Sequence, residues 1–90
     1  MLTPSRTSQF KRDVKLAVKR GKPISKLKDV MEQLVQEVPL DPKHRDHKLT
    51  GEYKNHRECH VEPDWLLIYR TTAREIIFER TGTHSDLFKK

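Results

Sequence analysis

Two short stretches of this chain carry side chains able to move protons and to hold a phosphoryl group: His60-Val61-Glu62-Pro63-Asp64-Trp65 and, 15 residues beyond that tryptophan, Arg80-Thr81-Gly82-Thr83-His84. An unperturbed imidazole titrates at about pH 6.5, so a histidine can give or take a proton close to neutrality. Cleaving RNA through its own 2′-OH requires a base on that hydroxyl, a cation against the phosphorane and an acid for the departing 5′ oxygen. His60, Asp64, Arg80 and His84 supply all three types. His60 and Asp64 are four residues apart, and a tight reversal at Pro63-Asp64 can bring such groups within reach of one phosphate. Arg80 and His84 can reach the same sheet edge if their strand lies beside Trp65–Tyr69.

Taken singly, each residue has a duller reading. A lone strand histidine is more often a hydrogen-bonded structural group, and Asp after Pro is a routine turn residue. Trp65 can stack on an unpaired base, although a tryptophan between apolar neighbours is more often core. His44-x-x-His47 lacks the second ligand pair that makes a zinc motif specific, so neither a metal nor a cofactor is expected. With glycine only at 21, 51 and 82 there is no phosphate-cradling loop, and no serine sits in a strand-turn-helix elbow.

Ninety residues suffice for one small domain, spanning 1–90, and hence for a shallow site rather than a buried cofactor crevice. The net charge is +6, and between Arg6 and Lys28 nine basic residues accompany a single acid, Asp13. That bias favours a polyanionic partner. Cys59 is the only cysteine, which excludes an internal disulfide and suits a reducing compartment. No stretch has the roughly 18 apolar residues of a membrane span, and the start lacks the apolar run of a signal sequence. A cytoplasmic protein without a membrane partner is expected.

Several elements must position these residues. Met1–Ser5, with Pro4, suits an edge strand. Beyond a Ser8 N-cap, Phe10, Val14, Ala17 and Val18 share a helix face until Gly21. Ile24, Leu27, Met31, Leu34, Val35 and Val38 define a second helix that Pro39 stops, so the two helices form a hairpin. Leu40–His47 reads as a loop. Three antiparallel strands follow at Arg57–Glu62, Trp65–Thr71 and Arg74–Arg80. Trp65, Leu67 and Tyr69 face one way and Leu66, Ile68 and Arg70 the other. The helices cover one face, and a partner chain is a candidate cover for the second.

The phrases Phe10-Lys11-Arg12-Asp13-Val14-Lys15, Lys19-Arg20, Asp46-His47-x-Leu49-x-Gly51, His60 through Tyr69 and Glu79 through His84 with Leu87-Phe88 resemble the YafQ branch of the RelE/ParE toxin superfamily. The resemblance covers nearly the whole chain. It implies an α+β fold in which an N-terminal helical hairpin packs on a curved antiparallel sheet. It also implies a bacterial type II toxin, a ribosome-dependent endoribonuclease that cuts mRNA in the A site. On this likeness His47, His60, Asp64, Arg80 and His84 are catalytic and Phe88 binds substrate. Asp64 or His60 would be the base, His84 the acid and Arg80 the phosphate ligand, with His47 orienting substrate or sharing the proton transfer. The implied partners are mRNA, ribosomal RNA and an acidic DinJ/RelB-like antitoxin, with operator DNA bound only through the antitoxin complex. Lys11, Lys15 and Lys19 would then lie against ribosomal RNA and Trp65 against a base. The alternatives are a gyrase-inhibiting ParE-type toxin and an RNA-binding module without catalysis.

Overall fold

The computed structural model describes residues 1–88, so the last two positions of the expected 1–90 domain lie outside it. The strands are β1 (Thr3–Arg6), β2 (His47–Lys48), β3 (Arg57–Glu62), β4 (Trp65–Thr71) and β5 (Glu75–Gly82). The helices are α1 (Ser8–Lys19), α2 (Ile24–Val35) and α3 (His84–Phe88). The sheet runs β1-β5-β4-β3-β2. β2 to β5 pair antiparallel, as the sequence predicts for the last three, but β1 lies parallel to β5. The expectation of a wholly antiparallel sheet is therefore corrected to a mixed one. Chain order explains it: two helices and three strands separate β1 from β5, ample length for a crossover.

α1 is capped by Thr7 rather than Ser8: the Thr7 hydroxyl oxygen accepts from the Phe10 amide at 2.9 Å while its O–H donates to the Glu79 carbonyl. The buried residues of α1 are Phe10, Asp13 and Ala17, whereas Val18 is exposed. An acid thus occupies a position in what reads as the apolar stripe. Gly21, at φ +76°, ends the helix with Lys22 donating to the Ala17 carbonyl and Gly21 to that of Val18, a Schellman motif. α2 ends four residues before Pro39, because Glu37 takes a left-handed φ of 59° and closes the same motif.

α1 lies mainly on β5 and α2 on β3. Under them the core gathers Phe10, Leu27, Val30, Cys59, Trp65, Leu67, Tyr69, Ile76 and Phe78. Cys59 is a fully buried packing residue whose thiol pKa is pushed up by desolvation. The opposite sheet face buries Leu66 and Ile68 beneath Leu87, with Leu49, Tyr53 and Phe88 packed around them. That second cover comes from the chain's own α3 and the segment before β3, not from a partner. The sequence pattern missed both β2 and α3. Among the described residues no helix is long and apolar enough to cross a membrane.

Two register breaks aim the polar residues on this second face. β3 carries an extra residue between His60, opposite Leu66, and Glu62, opposite Trp65. β5 carries one between Phe78, opposite Tyr69, and Arg80, opposite Ile68. Strict alternation from Phe78 would send Arg80 to the helix side. The bulge at Glu79 reverses the parity, so Arg80 shares the Ile68 face and Thr81 turns inward.

Candidate active site

The sheet register places His47 opposite Glu58, Glu58 opposite Ile68 and Ile68 opposite Arg80, one row across four strands. In the next row His60 lies opposite Leu66, and Leu66 opposite Gly82. Gly82 matters because a Cβ there would sit 3.0 Å from the Asp86 side chain and 3.4 Å from Leu87. Its bare backbone lets α3 fold back over β4 and carry His84 to the same face.

Three imidazoles form a line. The rings of His47 and His60 are 6.4 Å apart, centroid to centroid, and those of His60 and His84 5.8 Å. A carboxylate serves each end. Glu58, 5 % exposed, places Oε2 3.3 Å from His47 Nε2 and 3.6 Å from His60 Nε2. Asp64 Oδ1 accepts from His84 Nδ1 at 2.6 Å and from the His84 amide at 2.9 Å. Those two donations, the amide first, hold the Asp64 carboxyl below its usual range. Asp64 is therefore ionised at neutrality, and by accepting from Nδ1 it directs Nε2 outward.

The surroundings fix the line. His47 Nδ1 donates to the Arg45 carbonyl at 2.6 Å. Asp46, just before it, accepts from the Tyr69 hydroxyl at 2.6 Å and from Arg57 Nε at 3.2 Å, which pins the start of β2 to the sheet. Burial and the Asp46 carboxylate push the Tyr69 hydroxyl pKa up, so it remains a donor. Behind His60, its carbonyl accepts from His44 Nδ1 at 2.6 Å. Phe88 is half-buried, edge-on to Tyr53 at 5.9 Å between centroids.

Apart from Phe88, the residues singled out in sequence divide into four groups. His47, His60, Asp64 and His84 come together in one continuous array. Arg80 shares their face by register, but its guanidinium is held by Asp13, with Nε to Oδ2 at 2.8 Å and Nη2 to Oδ1 at 3.2 Å. Lys11, Lys15 and Lys19 are exposed on α1, away from the imidazoles. Trp65 requires a correction: it is 1 % exposed, packs under the helices with Lys22 Nζ 5.8 Å from its ring centre, and donates from Nε1 to Thr81 Oγ1 at 3.0 Å. With no open ring face it is a core residue that braces β4 on β5, not a stacking platform. Glu58 and Asp13 were missed. For Glu58 a signal existed, since a residue two before His60 on one strand must share its face. Among the described residues no group of three His, Cys, Asp or Glu side chains is placed to hold a metal ion.

Residues 2–89 match the family model described as the bacterial toxin of type II toxin-antitoxin systems, YafQ. The mRNA interferase toxin YafQ of Escherichia coli K12 is 49 % identical over 83 residues, covering 91 % of this chain and 90 % of that protein. The crystal structure of YafQ from E. coli BL21(DE3) superposes with a TM-score of 0.93 at 45 % identity, covering 98 % of this chain and 99 % of that one. YafQ in the E. coli DinJ–YafQ complex gives a TM-score of 0.91 at 46 % identity with the same coverage. A match over nearly every residue, on a fold that agrees end to end, means that this chain belongs to the YafQ family of bacterial type II toxins.

Proposed function

We propose that this protein is an mRNA interferase, an endoribonuclease that cuts mRNA in the ribosomal A site and is neutralised by a cognate acidic antitoxin. The observation that carries this reading is the line of three imidazoles with a carboxylate at each end, on an accessible sheet face. The names of the E. coli relatives support it: one is an mRNA interferase and another forms a complex with DinJ.

Within this reading His60 takes the 2′-OH proton, with His47 beside it to share that task, and Glu58 stabilises the cation that forms. Asp64 is already committed to two donors from His84, which favours His60 over Asp64 as the base. His84, its Nδ1–H fixed by Asp64, delivers a proton from Nε2 to the 5′ oxygen. Arg80 meets the charge growing on the phosphoryl oxygens, and Phe88 stacks on a base at the edge of the face. These groups supply base, acid and counter-charge, so the reaction needs no metal and should persist in chelator. The ribosome and its RNA are bound through the basic helix, and the protein acts in the cytoplasm. Operator DNA is reached only through the antitoxin complex.

The test is primer extension on translating ribosomes with the intact chain and with His84→Ala. New mRNA ends with the intact chain, lost with the variant, are expected. Ends unchanged by the variant would remove His84 from the mechanism. No ends from the intact chain would overturn the nuclease reading and favour the gyrase-directed or RNA-binding alternatives.

A further inference from the structure

Asp13 is the acid that interrupts the apolar face of α1, and it is only 8 % exposed. A carboxylate in such a place is costly unless both oxygens are satisfied. Here they are: Oδ1 accepts from Gln9 Nε2 at 3.0 Å and Arg80 Nη2 at 3.2 Å, and Oδ2 from Arg80 Nε at 2.8 Å and the Thr81 amide at 3.1 Å. The Thr81 amide belongs to β5 beyond the end of its pairing with β1, which stops at Phe78. Asp13 therefore grips backbone and side chain of the same segment, 67 and 68 positions away in sequence.

We propose that Asp13 is a positioning residue for the cleavage reaction: its carboxylate clamps one edge of the Arg80 guanidinium and so presents the opposite edge to the scissile phosphoryl group. The inference rests on the nuclease reading above. A guanidinium carries five N–H donors in a rigid fork; Asp13 engages two of them, the Tyr53 side chain also stands beside the group, and the donors that remain can meet an anion. An unclamped arginine would have to give up the freedom of its long side chain each time substrate arrived. The clamp removes that cost before binding. Asp13 also serves the fold, because an apolar residue there would leave the buried Thr81 amide without its acceptor, so positioning of Arg80 has to be separated from that structural part by comparing the substitution with and without Arg80.

The experiment measures single-turnover cleavage on translating ribosomes with one defined mRNA at rising toxin concentration. The proteins are the intact chain, Asp13→Asn, Arg80→Ala and the double variant, all below the lowest of their measured melting temperatures. Asp13→Asn keeps the side-chain volume and one acceptor but loses the clamp on Nη2. It should lower the maximal rate about 10- to 100-fold, with the half-saturating concentration within about two-fold. In the Arg80→Ala background the same substitution should cost less than about two-fold, because the group it positions is gone. Equal losses in both backgrounds would mean a structural role and overturn the proposal, as would a shifted half-saturating concentration with an unchanged maximal rate. If Arg80→Ala is slow while Asp13→Asn is fully active, Asp13 alone is refuted. If Arg80→Ala is itself fully active, the phosphate role of Arg80 falls and takes Asp13 with it.

Discussion

At the scale of single residues, the division of labour among the acids follows from what each one touches. Asp64 spends one oxygen on the amide and ring of His84, so its chief effect is on the tautomer and orientation of that ring. If His84 is the general acid proposed above, replacing it by Ala should lower the cleavage rate about 10²- to 10⁴-fold. Asp64→Asn leaves His84 in place but offers a weaker acceptor to Nδ1, so a smaller loss, about 10- to 100-fold, is expected in the same primer-extension time course. A loss for Asp64→Asn larger than that for His84→Ala would show that Asp64 contacts the substrate itself. Glu58 differs because it is buried and faces two imidazoles rather than one. It stands within reach of two rings at once, whereas the exposed Asp64 holds one ring in one orientation.

At the scale of elements, the sheet is a ruler and its two bulges set the phase. The bulge at Glu79 decides that Arg80 and not Thr81 faces the histidines, and Gly82 decides that α3 can close over the same face. Gly82→Ala should force α3 away from β4, exposing Leu87 and moving His84. We expect a melting temperature lower by several degrees and cleavage reduced together with it, whereas an unchanged melting temperature would mean that Asp86 simply shifts aside. α3 is also tied to the end of α1, where Arg20 Nη1 meets Asp86 Oδ2 at 2.6 Å. That guanidinium holds the Asp86 carboxyl down at about 2. A carboxylate depressed when folded adds stability above its unfolded pKa, about 3.9, and loses it as pH falls through the folded value. Acid unfolding between about pH 4 and 2 should therefore be blunted in Asp86→Asn, which is checked by melting curves across that window. Much of this architecture was legible beforehand. The alternation Trp65-Leu66-Leu67-Ile68-Tyr69, the turn at Pro63-Asp64 and the spacing of Phe10, Ala17, Leu27 and Leu34 are local signals that fixed strands, reversal and helices. The parallel β1–β5 pairing, the two-residue β2 and the bulges depend on partners far along the chain, so periodicity carries no trace of them. Trp65 and Asp13 show the same limit from opposite sides: a residue suited to recognition lies in the core, and an acid in a core stripe has its partner on β5.

On the scale of the whole molecule, the chain carries two separate polar surfaces. The imidazoles stand on the sheet face that α3 partly covers, with His84 at the start of α3 itself, while Lys11, Lys15 and Lys19 stand exposed along α1 on the other side of the sheet. A surplus of six positive charges on so small a body raises the local concentration of any polyanion and steers it, but does not choose where a bond breaks. Anchoring and chemistry should therefore separate experimentally. Changing the three lysines to Gln together ought to weaken binding to ribosomes and flatten its salt dependence, since each phosphate that goes without its lysine removes about 0.7 to 0.9 from the slope of log affinity against log salt. With all three engaged, the slope should fall by about 2 to 3. The measurement is ribosome binding between low and moderate salt with His84→Ala toxin, with and without the lysine changes, so that cleavage does not consume the complex. Because these lysines touch none of the imidazoles, cleavage by the otherwise intact chain at saturating concentration should change by less than about two-fold. A drop in affinity that is the same at every salt concentration would show that the lysines act through packing rather than charge. It would also place the nucleic-acid anchor elsewhere on the molecule. An acidic antitoxin laid along α1 would neutralise this same surface, so excess antitoxin should abolish the salt-dependent part of ribosome binding in the parent protein and have little left to abolish in the lysine variant.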